Sequence, residues 1–209
     1  MRKLILLFSL QLLLFQGILS AQVQLTVELQ PDNITYVVKL TPDASYTLPL
    51  NTTNNAQITF VTPTGGLQVD QVTNIKGLWS SGTIIPAPAE NPSKDYLMFT
   101  LQSGTTDIPY NVGEEVELFS FQNTGMCTGA LEFVTIDDPF FPPNSQNLNI
   151  GNQISVLGAG FTNAFSGTYG SVANCLGSSE SPTDTTVTQS IISIEACLLY
   201  TSPSPRDRG

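Results

Sequence analysis

Histidine is absent from this chain of 209 residues, and basic residues are scarce. Without histidine, a Ser-His-Asp triad, a Cys-His nucleophile pair and the usual histidine-containing zinc and iron sites are excluded. The chain carries 7 lysines and arginines against 17 acidic residues, a net charge of −10. Nucleic-acid binding needs a basic surface and is therefore excluded, and binding to anionic lipid is disfavoured.

Long apolar runs are also lacking, except at the amino terminus. Arg2 and Lys3 precede an apolar stretch over residues 4–15, and small residues lead to a cleavage site after Ala21. The stretch is shorter than the roughly 20 residues of a membrane-spanning helix, so residues 1–21 are predicted to be a secretory signal peptide. We expect a secreted or cell-surface protein with no membrane insertion after cleavage.

The other end looks unlike evolved protein sequence. Residues 197–207 (CLLYTSPSPRD) resemble the in-frame translation of a synthetic adapter used in DNA library preparation, and residues 197–209 are interpreted as an artefact. We therefore expect a gene that continues past residue 196 and a truncated multidomain protein. Excluding both ends leaves three lysines against 16 acidic residues and no arginine, a net charge of −13, over the length of about one domain.

Cysteine is rare, with three residues in the whole chain. Setting Cys197 aside with the adapter-like tail leaves Cys127 and Cys175, which are expected to form a disulfide in an oxidising compartment. Two free buried thiols are the alternative. Two cysteines without any histidine do not indicate a metal site.

Apolar and polar residues alternate along most of the remaining chain. In residues 23–30 this alternation puts Val23, Leu25, Val27 and Leu29 on one face of a strand. The other candidate strands are residues 34–40, 46–50, 56–62, 67–72, 96–101, 115–121, 131–136, 147–157 and 186–194. Short strands separated by Gly, Pro, Asn and Asp clusters predict an all-β fold, an antiparallel β-sandwich of jelly-roll or Ig-like type. A closed barrel is the alternative.

Composition also divides the chain. Residues 22–158 are predicted to form the β-sandwich domain. Residues 159–188 are rich in Gly, Ser and Thr and are predicted to be loop and linker, stapled to the domain if Cys175 is bridged. Residues 189–196 would begin the next, truncated segment.

A few residues are candidates for binding. Trp79, the sole tryptophan, can stack on a sugar if it is exposed, or fill the core between two sheets if it is buried. In the loop after residue 136, Phe140 and Phe141 are candidate ligand contacts or a lid on the sandwich end. Asp137 and Asp138 are weak calcium candidates, because they offer few oxygen ligands.

Paired carboxylates are the remaining sign of chemistry. Glu115 and Glu117 share one strand face, and we interpret them as solvated edge charges rather than as a catalytic pair. Glycoside hydrolysis needs two carboxyls at a defined separation across a cleft, and no such signature stands out. The chain is therefore predicted not to be an enzyme and to need no cofactor.

Several motifs point to one family. They are residues 112–121 (VGEEVELFSF), Cys127-Thr128-Gly129, Leu131-Glu132-Phe133 and residues 147–160 (NLNIGNQISVLGAG). Over residues 23–157 the chain resembles the cohesin-like β-sandwich of large secreted proteins of the Bacteroidota. This resemblance implies a bacterial origin and a surface or secreted binding module at the start of a multidomain chain.

Together these features predict an extracellular, non-catalytic binding module that serves adhesion, carbohydrate or protein binding, or scaffold assembly. Its expected partner is a glycan or a surface protein. The alternative is an accessory domain of a secreted polysaccharide-degrading enzyme whose catalytic domain is missing.

Overall fold

Alternating sequence produces a chain of short strands. The computed structural model describes residues 22–82 and 84–177. Its strands are β1 (Val23–Leu29), β2 (Thr35–Pro42), β3 (Thr53–Pro63), β4 (Val69–Asn74), β5 (Trp79–Ser81), β6 (Ile85–Pro86), β7 (Lys94–Leu101), β8 (Val116–Asn123), β9 (Ala130–Phe133), β10 (Gln153–Val156), β11 (Phe165–Thr168) and β12 (Ala173–Asn174). One turn of 3-10 helix spans Leu157–Ala159. Within these residues no helix has the length and apolar character to cross a membrane.

Five predictions lie outside the described residues. They are the signal peptide, the linker from residue 178 onward, the candidate strand 186–194, the start of a next segment at residues 189–196 and the adapter-like tail.

The strands form two sheets. One has the order β11-β1-β2-β8-β4, and the other has the order β12-β9-β3-β7-β5, with β10 also on β3 and β6 also on β7. Neighbours are antiparallel, except that β1 and β11 run parallel. Two separate sheets around a shared core make a β-sandwich, which confirms the all-β prediction and rules out the closed barrel for the described residues.

Aromatic rings fill the space between the sheets. Phe121 of the first sheet stacks on Tyr36, with ring centroids 5.3 Å apart. The same ring contacts Phe60 and Phe99 of the second sheet, at 6.0 and 4.8 Å. These rings are buried, so they supply a large share of the apolar area that holds the two sheets together.

A second, smaller cluster lies on the outer face of the second sheet. There the loop of residues 134–150 covers Tyr96 and inserts the buried ring of Phe140, 4.9 Å from Tyr96. Asn144 closes the loop: its Nδ2 donates to the carbonyls of Phe140 (3.0 Å) and Leu148 (2.8 Å), and its Oδ1 accepts from the N–H of Leu148 (3.0 Å). The loop is therefore a packed element rather than a free connection.

Residues 46–50 differ from the predicted strand. Tyr46 makes a single bridge with Tyr110, and the chain then turns, with the N–H of Leu50 donating to the carbonyl of Thr47 at 2.7 Å. Tyr46 packs against the core, but residues 47–50 are exposed and Pro49 has no N–H for a ladder, so the chain does not continue as a strand.

The predicted strand 147–157 is also shorter, since only Gln153–Val156 pairs with β3. Asn147 has φ 53°, a left-handed conformation that a strand does not accommodate. Side chains of β3 hold the residues in between: Gln57 Nε2 donates to the carbonyl of Asn149 at 2.7 Å, and Thr59 Oγ1 donates to that of Gly151 at 2.9 Å.

The segment predicted as loop and linker contributes two strands. β11 adds to the edge of β1, and β12 adds to the edge of β9. The N–H of Val23 donates to the carbonyl of Ala164 (2.8 Å), and the N–H of Tyr169 donates to that of Leu25 (3.0 Å). Pairing at a sheet edge uses backbone groups, so a Gly- and Ser-rich segment can supply it without an apolar pattern.

Candidate functional site

Trp79 lies in the core and is not a surface platform. Its side chain is 3% exposed and its ring centroid is 4.9 Å from that of Phe119. Its Nε1 donates to the carbonyl of Lys76 at 2.8 Å, and its backbone N–H donates to Asn74 Oδ1 at 2.7 Å. With every polar group of the indole satisfied inside the fold, no part of Trp79 is left to contact a ligand.

The two phenylalanines of the 134–150 loop separate. Phe140 is fully buried in the outer cluster, so its ring has no exposed surface with which to contact a ligand. Phe141 is half-buried at the edge of that cluster and borders a cleft. The loop therefore acts as a lid through Phe140 and presents Phe141 outward.

The two aspartates of the same loop also differ. Asp138 Oδ1 accepts from the hydroxyl of Tyr96 (2.6 Å) and from the N–H of Phe140 (2.8 Å), so this carboxylate anchors the loop. Burial is the largest cause that raises the pKa of the Tyr96 hydroxyl, and the hydrogen bond to Asp138 adds to it. Asp137 is exposed, and the described residues contain no group of three acidic, cysteine or histidine side chains around a common point. Calcium binding here stays a prediction.

Cys127 and Cys175 form the predicted disulfide, with Cα atoms 5.8 Å apart. Cys175 follows β12, and Cys127 lies shortly before β9, the strand that β12 pairs with. The disulfide and the β12–β9 pairing therefore join the same two segments of chain. Together they hold the end of the described chain against the second sheet.

A cleft of about 810 Å³ lies where β11 and the segment after it face β9 and β10. Most of its lining comes from three stretches of chain, which are residues 131–136, 149–153 and 165–172. Single side chains complete it: Thr26, Val27, Gln57, Val61, Lys94, Asp138, Phe141 and Asn163. This volume falls within the roughly 300–1,000 Å³ that is usual for small-molecule sites.

Four aromatic rings line this cleft. Phe133, Phe141, Phe165 and Tyr169 are all half-buried, so each ring is held by the protein on one side. Ile136 and Val172, which are 78% and 57% exposed, also line the cleft. Exposed apolar side chains next to half-buried rings are typical of a surface that a ligand covers.

Polar lining is mostly uncharged and falls into two sets. The amide of Asn152 is used inside the fold: its Oδ1 accepts from the N–H of Thr59 (2.9 Å), and its Nδ2 donates to the carbonyl of Val134 (2.8 Å). Asn149 and Gln153, by contrast, make no side-chain hydrogen bond with other described residues. The cleft therefore contains one amide that is fixed by hydrogen bonds within the fold and two amides that are available to a ligand.

Charged groups in the lining are few and engaged. Lys94 Nζ lies 4.0 Å from Glu132 Oε2, and Asp138 holds the loop as described above. The lining has one lysine and these two carboxylates, so its net charge is slightly negative.

A charge network on the outer face of the first sheet braces one wall of the cleft. Lys39 Nζ lies 2.7 Å from Glu28 Oε2 and 2.9 Å from Glu115 Oε1, and Glu115 Oε2 accepts from the hydroxyl of Tyr169 at 2.9 Å. Partial burial lowers the pKa of Lys39, but the hydrogen bonds to the two glutamates outweigh it and raise the pKa overall.

The same contacts shift the other two groups. The hydrogen bond from Lys39 is the largest cause that lowers the pKa of Glu115. Burial, followed by the bond to Glu115, raises the pKa of Tyr169 to about 12. Glu117 Oε1 lies farther from Lys39 Nζ, at 3.9 Å. The strand face that was predicted to be solvated therefore carries three glutamates arranged around one lysine.

No protein-family model, curated protein or solved structure matches this chain.

Among the residues predicted from sequence, the cleft brings together Phe141 and Asp138, and it does not include Trp79, Phe140 or Asp137. Sequence reasoning missed the amides and the wall formed by residues 163–172. The available signal for the amides was the high density of Asn and Gln in residues 144–153, a stretch that follows Phe140 and Phe141.

Proposed function

We propose that this chain is an extracellular, non-catalytic binding module that takes its ligand in the cleft between β9 and β11. The observation that carries the proposal is the lining of that cleft, where half-buried rings adjoin amide groups with no partner in the described fold. Binding sites combine such apolar surface with a few polar groups that fix orientation. The signal-peptide pattern and the Cys127–Cys175 bond support export to an oxidising compartment.

Binding without catalysis is favoured by the state of the carboxylates. Glu132 is paired with Lys94, and Asp138 Oδ1 accepts two hydrogen bonds that hold the loop. A general acid or base must be free to exchange a proton with the substrate, and these two groups have structural partners instead.

The test blocks the cleft with a large side chain. Val172 lines the cleft and is 57% exposed, so Val172→Trp is expected to fill it without disturbing the core. Leu78 is 55% exposed and does not line the cleft, which makes Leu78→Trp a matched control. The full chain and both variants are applied to an array that carries neutral glycans, anionic glycans and purified cell-surface proteins.

We expect the native chain and Leu78→Trp to retain a ligand with similar affinity. Val172→Trp should bind the same ligand about tenfold more weakly or worse. Equal binding by the two variants would place the site elsewhere. Absence of any ligand on the array, or release of reducing sugar from a bound glycan, would overturn the proposal.

A further inference from the structure

We infer that the cleft binds an uncharged polysaccharide chain, with sugar rings against Phe141 and Tyr169 and hydroxyls on the amides of Asn149 and Gln153. This inference rests on the proposed function and names its ligand class.

The aromatic residues supply the apolar part of such a site. One face of a sugar ring carries mainly C–H groups, and these pack on aromatic side chains, which offer large rigid area at little entropic cost. The ring of Phe141 is fixed by the outer cluster, and the ring of Tyr169 is fixed by its bond to Glu115. Both are therefore placed before the ligand arrives, which reduces the entropy lost on binding.

The open polar groups match hydroxyls. Each amide offers two N–H donors and a carbonyl acceptor, and a sugar hydroxyl both donates and accepts. Asn149 and Gln153 lie on one side of the cleft, and Thr168 and Ser171 lie on the other, with no side-chain hydrogen bond to other described residues. A ligand with hydroxyls on both edges can therefore be held from both walls.

Charge selects a neutral ligand over an anionic one. Every lysine in the described residues has a carboxylate partner: Lys39 with Glu28 and Glu115, Lys76 with Asp107 at 3.4 Å, and Lys94 with Glu132 at 4.0 Å. No cation is left over in the cleft lining to receive a carboxylate or sulfate group. The surrounding acidic surface would repel such a ligand.

A protein partner fits these observations less well. Stable protein interfaces bury about 1,200–2,000 Å² around a water-excluded core with few charges. Here open amides and hydroxyls line the same concave site as the rings, so a flat protein surface would leave these polar groups buried without partners.

The experiment compares soluble polymers by affinity electrophoresis and isothermal titration calorimetry, using the full chain. Neutral probes are mixed-linkage β-glucan, xyloglucan and galactomannan, and anionic probes are alginate and polygalacturonate. The site variants are Phe141→Ala and Gln153→Ala. Their matched controls are Phe161→Ala, at a ring that is 47% exposed outside the cleft, and Gln24→Ala, at an exposed strand glutamine outside it.

We expect binding to at least one neutral polymer, with affinity unchanged between low and high salt. Phe141→Ala is expected to weaken it about tenfold, and Gln153→Ala about three- to tenfold, while both controls stay within about twofold of the native chain. Thermal unfolding is measured for each variant. Gln153→Ala decides the matter if Phe141→Ala unfolds, because Gln153 makes no side-chain bond within the described fold.

Binding only to alginate or polygalacturonate, or only to a protein on the array, would overturn this inference and leave the binding module intact. Neutral binding that the site variants and controls weaken equally would overturn the assignment to this cleft. Absence of binding to any probe would overturn both the inference and the proposed function.

Discussion

At the scale of single residues, Trp79 shows how local context alone leaves a side chain ambiguous. It is flanked by Leu78, which is 55% exposed, and by Ser80 and Ser81, a sequence that suits a surface loop. What buries it is a contact from another strand, the ring of Phe119 in β8. That contact depends on the pairing of sheets and is absent from any short window of sequence.

Trp79 is the only tryptophan, so intrinsic fluorescence reports on it alone. We expect a blue-shifted emission that acrylamide quenches weakly in the native chain and strongly in urea. Trp79→Phe removes the Nε1 bond and leaves the carbonyl of Lys76 without its donor, which should lower the free energy of unfolding by about 1–3 kcal/mol. Strong quenching of the native protein, or a fully stable variant, would contradict the buried position.

At the scale of elements, the sequence predicts a strand when one of its faces is buried. A strand that buries neither face leaves no such pattern and could not be predicted. β1 alternates in sequence because Val23, Leu25 and Val27 face the core. β11 has a single large apolar residue, Phe165, because its pairing with β1 relies on backbone hydrogen bonds. The cleft could not be predicted either, because one of its walls is this edge segment, whose composition is that of a linker.

The disulfide holds this edge segment, and its removal tests how much stability it contributes. The bond closes a loop with a sequence separation of 48, which chain entropy rates at about 4 kcal/mol of stability. The double variant Cys127→Ser/Cys175→Ser should therefore lower the free energy of unfolding by about 2–4 kcal/mol, measured by urea denaturation. Hydrogen exchange should speed up first at the amides of residues 169–176, which lie between β11 and the bond.

The reduced native chain serves as the control and should match the double variant. Three alkylatable thiols in the untreated, denatured chain, instead of the single thiol of Cys197, would show that the bond does not form. A variant as stable as the native chain would show that β12 and β9 hold the segment without it.

At the scale of the whole molecule, scarcity of basic residues gives each lysine a specific place. Lys39 lies at the centre of the first sheet's outer face, and through Glu115 it reaches Tyr169 on the cleft wall. On this acidic surface, the ion pairs of Lys39 with Glu28 and Glu115 form a network that adjoins the proposed binding site. Surface charge and cleft geometry are coupled by two hydrogen bonds.

This coupling predicts how stability depends on pH. The pKa of Glu115 is lowered in the folded chain, so its contribution is present above its ordinary value of about 4.3 and is lost as the pH falls through the lowered value. At pH 7, Glu115→Gln should lower Tm by roughly 1–4 °C, as expected for an exposed pair. Toward pH 3 and below the two melting curves should converge, because the native carboxylate also becomes protonated.

Glu114→Gln is the matched control, because Glu114 bonds to Asn111 at 2.7 Å and not to Lys39. Its Tm should follow that of the native chain across the same pH range. Differential scanning calorimetry from pH 2.5 to 8 separates the outcomes. If Glu115→Gln stays parallel to the native curve at every pH, its carboxylate is not the group that links Lys39 to the cleft wall.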